Sequence, residues 1–310
     1  MNQSLAFVFP GQGSQHLGML AELAEQFGVI QQTFADASDA LGYDLWALTQ
    51  EGPEEALNST EKTQPALLTA GVALWRLWKE QGGDQPALMA GHSLGEYTAL
   101  TCAGALALKD AVVLVKQRGE FMQAAVPAGQ GGMAAVLGLD DAKVEEACRQ
   151  AAQGAVVSAV NYNSPGQVVI AGAADAVARA VAECKAAGAK RAVELPVSVP
   201  SHCELMKPAA EQLKAALDAV EMKMPEVTVI QNVAARPAQD LAELRSNLVE
   251  QLYRPVLWTG SVQAMAERGA EVLVECGPGK VLSGLNKRIQ RSLTVMAIND
   301  PAGLEKALGR

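Results

Sequence analysis

The chain has 310 residues, of which 49% are hydrophobic, 19% are charged and 4% are aromatic, and its formal net charge is -9. This length suits one large core with a smaller companion, and the composition is typical of a helix-rich α/β protein. Because so much negative charge repels polyphosphate at long range, the sequence argues against a general binder of nucleic acids or anionic membranes.

The first part of the chain predicts the opening of an α/β sheet. A buried strand is expected at 5–9, followed by the Gly-rich loop PGQGSQ and an apolar-periodic helix. The next predicted elements are helices at 31–41 and 65–81, a strand at 86–91 and a helix at 96–107. A further helical pattern ends near Ala125.

A change in composition at 126–132, where one Pro and three Gly occur, marks a linker. Beyond it we expect a strand at 133–137, a helix at 141–153, strands at 156–160 and 167–171, a helix at 175–187 and a strand at 192–196. The order β-α-β-β-α-β is that of a ferredoxin-like unit of about 70 residues.

The chain then returns to the larger unit through the segment from Ser198 to His202. The remaining predicted elements are a helix at 208–220, a strand at 227–231, a helix at 241–252 and a strand at 271–275. The sequence therefore predicts a discontinuous large subdomain, 1–125 and 197–310, with a small subdomain, 126–196, inserted in it.

The cysteines and the apolar runs indicate where the protein resides. No CxxC pair is present among five singly spaced residues, Cys102, Cys148, Cys184, Cys203 and Cys276, so we expect reduced thiols and no zinc site. The N-terminus lacks the pattern of a signal peptide. The uncharged stretch at 97–108 has 12 residues, against the roughly 20 of a membrane-spanning helix. A cytoplasmic protein is expected.

The motif GHSLG at 91–95 fits GxSxG, in which glycines flank a serine on a tight strand-to-helix turn. Such a turn exposes the hydroxyl of Ser93 and points the backbone N–H of Leu94 toward an oxyanion on the attacked carbonyl. The pattern also occurs in ordinary Gly-rich turns, but the strand before it and the helix after it favour a nucleophile.

A serine nucleophile needs a base, and the chain offers three histidines, His16, His92 and His202. His92 adjoins Ser93 and its side chain should leave on another side, whereas His16 lies in the first Gly-rich loop. His202, in a Pro-flanked loop, follows the serine in the chain order of the α/β-hydrolases and is the best candidate. A lone loop histidine is more often structural, and the elbow serine reverses that balance.

No acidic residue stands out as a third member of a triad. The helix that ends near Gln251 can instead present an unpaired carbonyl to the imidazole, unless that helix end is merely hydrated. The PGQGS loop fails the spacing of a dinucleotide fingerprint, so we expect it to bring the backbone N–H of Gln12 to the site as a second oxyanion donor. A dyad of Cys203 with His202 is disfavoured because adjacent residues rarely face one another.

Seven segments occur in order along nearly the whole chain: FVFPGQGSQ, GHSLGEYTAL, KQRGEFMQ, NYNSPGQVVIAG, VSVPSHCELM, QLYRPVLW and ECGPGKVL. With them the chain resembles the bacterial malonyl-CoA:acyl carrier protein transacylases. The resemblance implies an α/β-hydrolase-like large subdomain with a ferredoxin-like insert.

The resemblance also implies roles for individual residues. Ser93 would be acylated, with His202 as its base and Gln251 as the support of His202. Gln12 and Leu94 would form the oxyanion hole. Arg118, an ordinary surface arginine by sequence alone, would bind the free carboxylate of malonate, because a planar guanidinium matches a carboxylate with two hydrogen bonds.

The expected reaction is a ping-pong transfer from malonyl-CoA to the phosphopantetheine thiol of acyl carrier protein, with no metal or redox cofactor. Two alternatives stay open: a serine esterase or thioesterase, in which water resolves the acyl-enzyme, and a non-catalytic carrier-binding module that keeps the elbow as a relic. The intact Ser93, His202 and Arg118 argue against the second.

Acyl carrier protein is acidic in systems of this family, so an acidic chain must attract it through local positive charge. Two basic clusters suit this role and place the docking groove between the subdomains: Lys185, Lys190 and Arg191, and Lys280, Lys287 and Arg288. Their alternative role is a solvated surface. A monomer is the default expectation, and the sequence does not determine how strictly malonyl is preferred.

Overall fold

A computed structural model describes residues 2–197 and 199–309. Met1, Ser198 and Arg310 lie outside the described residues, so the expected start of the return segment at Ser198 is not described. Within these ranges the chain forms a parallel sheet flanked by helices and a separate antiparallel sheet.

The strands are β1 (Asn2–Phe9), β2 (Pro86–Gly91), β3 (Gly131–Leu137), β4 (Val157–Ser164), β5 (Gln167–Ala173), β6 (Arg191–Glu194), β7 (Thr228–Ile230), β8 (Val272–Glu275) and β9 (Thr294–Ala297). The helices are α1 (Ala21–Gln26), α2 (Gly28–Leu41), α3 (Leu45–Glu51), α4 (Glu54–Leu57), α5 (Thr60–Glu80), α6 (Leu94–Cys102), α7 (Leu108–Ala125), α8 (Asp141–Ala152), α9 (Ala174–Ala186), α10 (Lys207–Asp218), α11 (Leu241–Glu250), α12 (Trp258–Glu267), α13 (Val281–Ile289) and α14 (Pro301–Ala307).

The large sheet has the order β7-β2-β1-β8-β9, and each neighbouring pair is parallel. Its central strand β1 is apolar and buried from Leu5 to Phe9, as a strand covered on both faces requires. Because the strands are parallel, the loops that follow β1, β2 and β7 meet at one edge of the sheet. This edge is where ligands bind in open α/β sheets.

The small sheet has the order β4-β5-β3-β6, with antiparallel pairing throughout. Helices α8 and α9 pack together on it, and Val144, Ala147, Val177 and Ala180 belong to its own buried core. This is the β-α-β-β-α-β arrangement expected from the sequence, so the predicted fold class is confirmed. The positions of the subdomain boundaries, 125/126 and 196/197, stay a prediction.

The small sheet contacts the large unit through backbone and side-chain hydrogen bonds. The N–H of Val256 donates to the carbonyl of Val160 at 2.8 Å, and the N–H of Tyr162 donates to the carbonyl of Val256 at 3.0 Å. Arg288 on α13 donates to the side chain of Gln167 at the start of β5, at 2.8 Å.

Several predicted elements were wrong in extent. The helix expected at 96–107 begins at Leu94 and ends at Cys102, because Gly104 adopts a φ of +78° that breaks the helix before α7. The helix expected at 65–81 begins five residues earlier, at Thr60, so that Pro65 lies inside its first two turns. The apolar-periodic helix expected after the first Gly-rich loop corresponds to α1. The sequence did not predict helices α3, α4, α12, α13 and α14 or strand β9.

None of the helices within the described ranges combines the length and apolar character needed to span a membrane.

Candidate active site

Ser93 occupies a sharp turn between β2 and α6. Its φ of 53° and ψ of -109° are rarely adopted by a non-glycine residue, and this strain is typical of a nucleophile elbow. The flanking glycines are sterically required. A Cβ on Gly91 would lie 1.9 Å from the carbonyl carbon of Gly95, and a Cβ on Gly95 would lie 2.1 Å from the carbonyl oxygen of Phe9.

His202 lies directly against this serine. Its Nε2 is 2.8 Å from Ser93 Oγ, and its Nδ1 is 2.6 Å from the backbone carbonyl oxygen of Gln251. Since a carbonyl can only accept, Nδ1 carries the proton and Nε2 is left to accept from the serine hydroxyl. The backbone N–H of His202 also donates to the carbonyl of Leu252 at 3.0 Å, which fixes the loop on the end of α11.

The electrostatic environment keeps His202 neutral. The residue is 3% exposed, and burial, followed by the positive charge of Arg118, lowers the pKa of His202 to about 3. The hydrogen bond to Gln251 opposes this shift only in part. A neutral imidazole beside a serine hydroxyl is in the protonation state that a general base needs.

The other two histidines have different partners. Nε2 of His92 lies 2.8 Å from Oδ1 of Asn163, and Nδ1 of His16 lies 3.4 Å from the carbonyl oxygen of Ser14. Cys203 is buried, and its Sγ donates to the carbonyl of Pro200 at 3.1 Å. Burial raises the pKa of the Cys203 thiol to about 11.

Arg118 on α7 is the cation of the site and is only 1% exposed. Its Nη2 donates to Ser93 Oγ at 3.2 Å and to Gln251 Oε1 at 3.0 Å, and its Nη1 donates to Gln64 Oε1 at 2.8 Å. Its Nε is buried without a hydrogen-bond partner among the described residues. None of the ion pairs found in residues 2–197 and 199–309 includes Arg118, so its visible partners are neutral.

Asn232 closes the elbow from the loop after β7. Its Oδ1 accepts from the N–H of Ser93 at 2.8 Å, and its Nδ2 donates to the carbonyl of Gly91 at 2.6 Å. Gln251 Nε2 lies 3.1 Å from the carbonyl oxygen of Ser93. The turn is thus fastened from two other parts of the chain.

Glu96, on the first turn of α6, lies behind Asn232 and Gln251 and accepts hydrogen bonds from both. Burial raises the pKa of Glu96 to about 7, although its N–H donors and the charge of Arg118 act in the opposite direction. Sequence reasoning did not single out Gln64, Glu96 or Asn232. The glutamate stands next to the elbow motif, but its inward orientation leaves no signal in the sequence.

A cavity of about 280 Å³ lies between the two sheets and reaches Ser93, Arg118 and His202. Gln12, Leu94, Met133, Asn161, Val169, Leu195 and Val199 are also among the residues that line it. Gly11 brings the first loop close to the elbow, since a Cβ on it would lie 2.5 Å from the carbonyl oxygen of His92. The described residues contain no group of three or more His, Cys, Asp or Glu that could hold a metal ion.

A serine on a strained elbow, a neutral histidine within hydrogen-bond distance of its hydroxyl and a cavity beside them are the arrangement found in serine-nucleophile enzymes of acyl transfer. Residues 6–301 match the model of the acyl transferase domain family.

Curated relatives narrow the assignment. The malonyl CoA-acyl carrier protein transacylase of Salmonella typhimurium is 62% identical over 303 residues, which cover 98% of each chain. The one from Bacillus subtilis is 47% identical and covers 98% of this chain and 96% of its own.

Solved structures agree. The malonyl-CoA:acyl carrier protein transacylase of Xanthomonas oryzae has a TM-score of 0.98 at 58% identity, covering 100% of this chain and 98% of that one. A malonyl-transacylase solved in complex with a type II PKS acyl-carrier protein has a TM-score of 0.98 at 57% identity and covers 99% of both chains. The chain belongs to the acyl transferase family and, within it, to the malonyl CoA-acyl carrier protein transacylases.

Proposed function

We propose that the protein transfers the malonyl group of malonyl-CoA to the phosphopantetheine thiol of acyl carrier protein, through a malonyl-serine intermediate on Ser93, and so supplies fatty acid synthesis. The observation that carries the choice of substrate is the buried guanidinium of Arg118, 3.2 Å from the Ser93 oxygen and hydrogen-bonded to neutral acceptors. A buried cation that has no carboxylate in direct contact favours a substrate that brings one.

In the first half-reaction His202 Nε2 takes the proton of Ser93, and the serine oxygen attacks the thioester carbonyl. The tetrahedral intermediate collapses as the C–S bond breaks, and the imidazolium returns the proton to the departing thiolate of coenzyme A. Gln251 supports this proton transfer because its carbonyl holds Nδ1–H and fixes the ring.

The oxyanion of that intermediate is stabilised by the backbone N–H groups of Leu94 and Gln12. Leu94 begins α6, where the first N–H groups have no partner within the helix and carry partial positive charge. Gln12 lies in the loop after β1 and lines the same cavity. Two such N–H donors commonly form the oxyanion hole of an acyl-transfer site.

Arg118 binds the free carboxylate of the malonyl group. Its Nε and Nη2 lie on one edge of the guanidinium, and this pair matches the two oxygens of a carboxylate. The carboxylate takes up the unpartnered Nε–H and replaces Ser93 Oγ as an acceptor of Nη2. An acyl group without a carboxylate leaves the Nε–H unpaired.

In the second half-reaction the phosphopantetheine thiol gives its proton to His202, and its sulfur attacks the malonyl-serine carbonyl. The serine oxygen leaves with the proton from the imidazolium, and the enzyme is regenerated. The cycle uses protein groups alone, without a metal or redox cofactor. A monomeric state and a cytoplasmic location stay predictions from the sequence.

The carrier protein docks along the groove between the subdomains. Lys287 and Arg288 are exposed near the C-terminal end of α13, and Arg288 reaches across to Gln167 of the small sheet. Lys190 and Arg191 are exposed at the start of β6. These cations offer an acidic partner local attraction on a chain whose net charge is -9.

Intact mass spectrometry after incubation with malonyl-CoA tests the proposal. A stoichiometric malonyl adduct on Ser93 that disappears on addition of holo acyl carrier protein, with malonyl recovered on the carrier, is the expected result. Loss of the adduct to water at the same rate without carrier indicates a thioesterase. Absence of any adduct, or retention of an adduct on Cys203 in Ser93→Ala, overturns the assignment.

A further inference from the structure

Glu96 is a buried carboxylate that the proposed cycle does not use. It is 1% exposed and receives three N–H donors. Oε2 accepts from the backbone N–H of Asn232 and from Gln251 Nε2, both at 2.9 Å, and Oε1 accepts from Gln231 Nε2 at 3.1 Å. Three donors directed at two oxygens suit an ionised carboxylate, because a protonated one would set its own O–H against an N–H.

The place of Glu96 in its helix makes this arrangement unusual. It is the third residue of α6, where a glutamate ordinarily turns back to the N–H of the N-cap residue. Here the N-cap is Ser93, and its N–H is taken by Asn232 instead. The carboxylate of Glu96 is therefore free to point inward, where it contacts the loop after β7 and the end of α11.

Gln251 connects this carboxylate to the reacting groups. Its Nε2 donates to Glu96 Oε2, its Oε1 accepts from Arg118 Nη2, and its backbone carbonyl accepts from His202 Nδ1. A carboxamide has one oxygen and one NH₂ group, so the anion that holds the NH₂ also decides which way the oxygen faces. Glu96 thus determines that the oxygen of Gln251 faces Arg118.

We propose that Glu96 is a positioning residue for acyl transfer: its carboxylate orients the side chain of Gln251, which in turn holds Arg118 and keeps its own carbonyl aligned with His202. The proposal rests on the function proposed above. Glu96 touches none of the reacting atoms and acts through Gln251.

The ionisation of Glu96 then enters the pH dependence of the reaction. The titratable groups that act on it electrostatically or share its network are Arg118 on α7, Tyr97 beside it on α6 and His202 across Gln251. The pKa of Glu96 is raised to about 7, whereas that of His202 is lowered to about 3. Because the proposed network needs the carboxylate of Glu96 to hold the Gln251 amide, we expect the acylation rate to fall as Glu96 is protonated, at a higher pH than the base His202 would require.

The test is the rate of Ser93 acylation by malonyl-CoA from pH 5 to pH 9, measured by rapid quench and intact mass. In the wild type the rate falls by up to about tenfold as the pH passes below the pKa of Glu96 and then levels off, because protonation leaves a neutral side chain in contact with Gln251. In Glu96→Gln this fall near neutrality is lost, and the plateau at high pH drops about tenfold, because a neutral acceptor holds the Gln251 amide less firmly than a charged one.

Glu275→Gln is the matched control. Glu275 is also a fully buried carboxylate, and it accepts from the N–H groups of Leu282 and Ser283 and from the Ser283 hydroxyl, at the start of α13. Its substitution costs stability but should leave unchanged the fall in acylation rate at acidic pH, here called the acid limb. A limb that disappears in both variants would mean a general effect of buried carboxylates on the fold, and would refute the proposal.

Gln251→Ala keeps the backbone carbonyl for His202 and removes the side chain through which Glu96 acts. It should lose the same acid limb, and adding Glu96→Gln to it should slow acylation less than twofold further. This variant also decides the matter if Glu96→Gln does not fold. An acid limb that persists unchanged in either variant, while wild type forms its malonyl-serine, overturns the role of Glu96; failure of wild type to form the adduct overturns the proposed function instead.

Discussion

Nδ1 of His202 lies 2.6 Å from the backbone carbonyl oxygen of Gln251, at the position where an acidic side chain would complete a triad. A carbonyl fixes the ring and its tautomer, but it stabilises an imidazolium less than a carboxylate does. Burial, followed by the positive charge of Arg118, lowers the pKa of His202 to about 3, and the hydrogen bond to Gln251 offsets only part of this shift. This property can be measured through the stability of the protein.

Stability should fall in acid because of His202. The pKa of His202 is lower in the folded protein than in the unfolded chain, so the unfolded chain binds more protons between pH 3 and pH 6.5. The free energy of unfolding therefore decreases as the pH falls through this range. Between neutrality and pH 5 this amounts to about 2 kcal/mol. In His202→Asn that contribution is absent. Urea unfolding of both proteins at pH 7.5 and pH 5 measures the difference, and an unchanged gap between them would contradict the low pKa.

Arg118 should decide the preference for malonyl over acetyl. In Arg118→Ala the substrate carboxylate enters a buried site without its partner, which costs about 3 to 5 kcal/mol or roughly two to four powers of ten in acylation rate. Acetyl-CoA carries no such group and should lose little. Acylation rates with both substrates give the comparison.

Arg118→Lys is the control that keeps the positive charge but removes the planar guanidinium with its two parallel donors. Compared with Arg118→Ala, it should restore only part of the rate of acylation by malonyl-CoA. Equal losses for malonyl and acetyl in Arg118→Ala would show that the residue supports the elbow through its contact with Ser93, and not the choice of substrate.

Charge reversal at Lys287 and Arg288 should slow malonyl transfer to acyl carrier protein and leave acylation by malonyl-CoA unchanged. The reason is that electrostatic attraction acts on the encounter with an acidic partner, so the loss should be greatest at low salt. Single-turnover rates of both half-reactions at two salt concentrations provide the measurement.

The matched control is charge reversal at Lys214, exposed on α10, and at Lys223, exposed after the end of α10. This double variant changes the net charge by the same amount. If both double variants slow transfer equally, net charge alone is responsible and the docking groove is wrongly placed.

Gly95→Ala should destabilise the protein and disable the elbow. The new Cβ would lie 2.1 Å from the carbonyl oxygen of Phe9, so β1 or α6 must shift, at a cost of about 1 to 3 kcal/mol or more. Thermal unfolding and acylation rate are the measurements.

Gly284→Ala makes the same change on the exposed side of α13, where a Cβ meets nothing within 4 Å. It should stabilise the helix by about 0.5 to 1 kcal/mol. Wild-type acylation and stability in Gly95→Ala would show that the close contact at the elbow is not required.

The amino-acid sequence by itself determined what depends on local pattern. Three local patterns can each be recognised within a short stretch: the apolar run of β1, the GHSLG turn and the periodic segments of the insert. They predict the sheet, the elbow and the ferredoxin-like unit, respectively. The choice of candidate base could be narrowed to His202 because the chain has three histidines, of which His92 adjoins Ser93 and His16 lies in the first Gly-rich loop. Arg118 was singled out through resemblance to a family, since an isolated arginine in a helix has no local signal.

Only the tertiary structure decided which polar groups face one another. Gln64, Glu96, Asn232 and Gln251 come from four separate parts of the chain, and their hydrogen bonds span between 19 and 158 positions. Such contacts depend on how helices and loops pack at the edge of the large sheet, and no spacing within a segment encodes them. A glutamate beside a serine elbow looks like an ordinary first-turn residue of a helix, and its inward orientation follows only after Asn232, 136 positions away, has taken the N–H that it would otherwise cap.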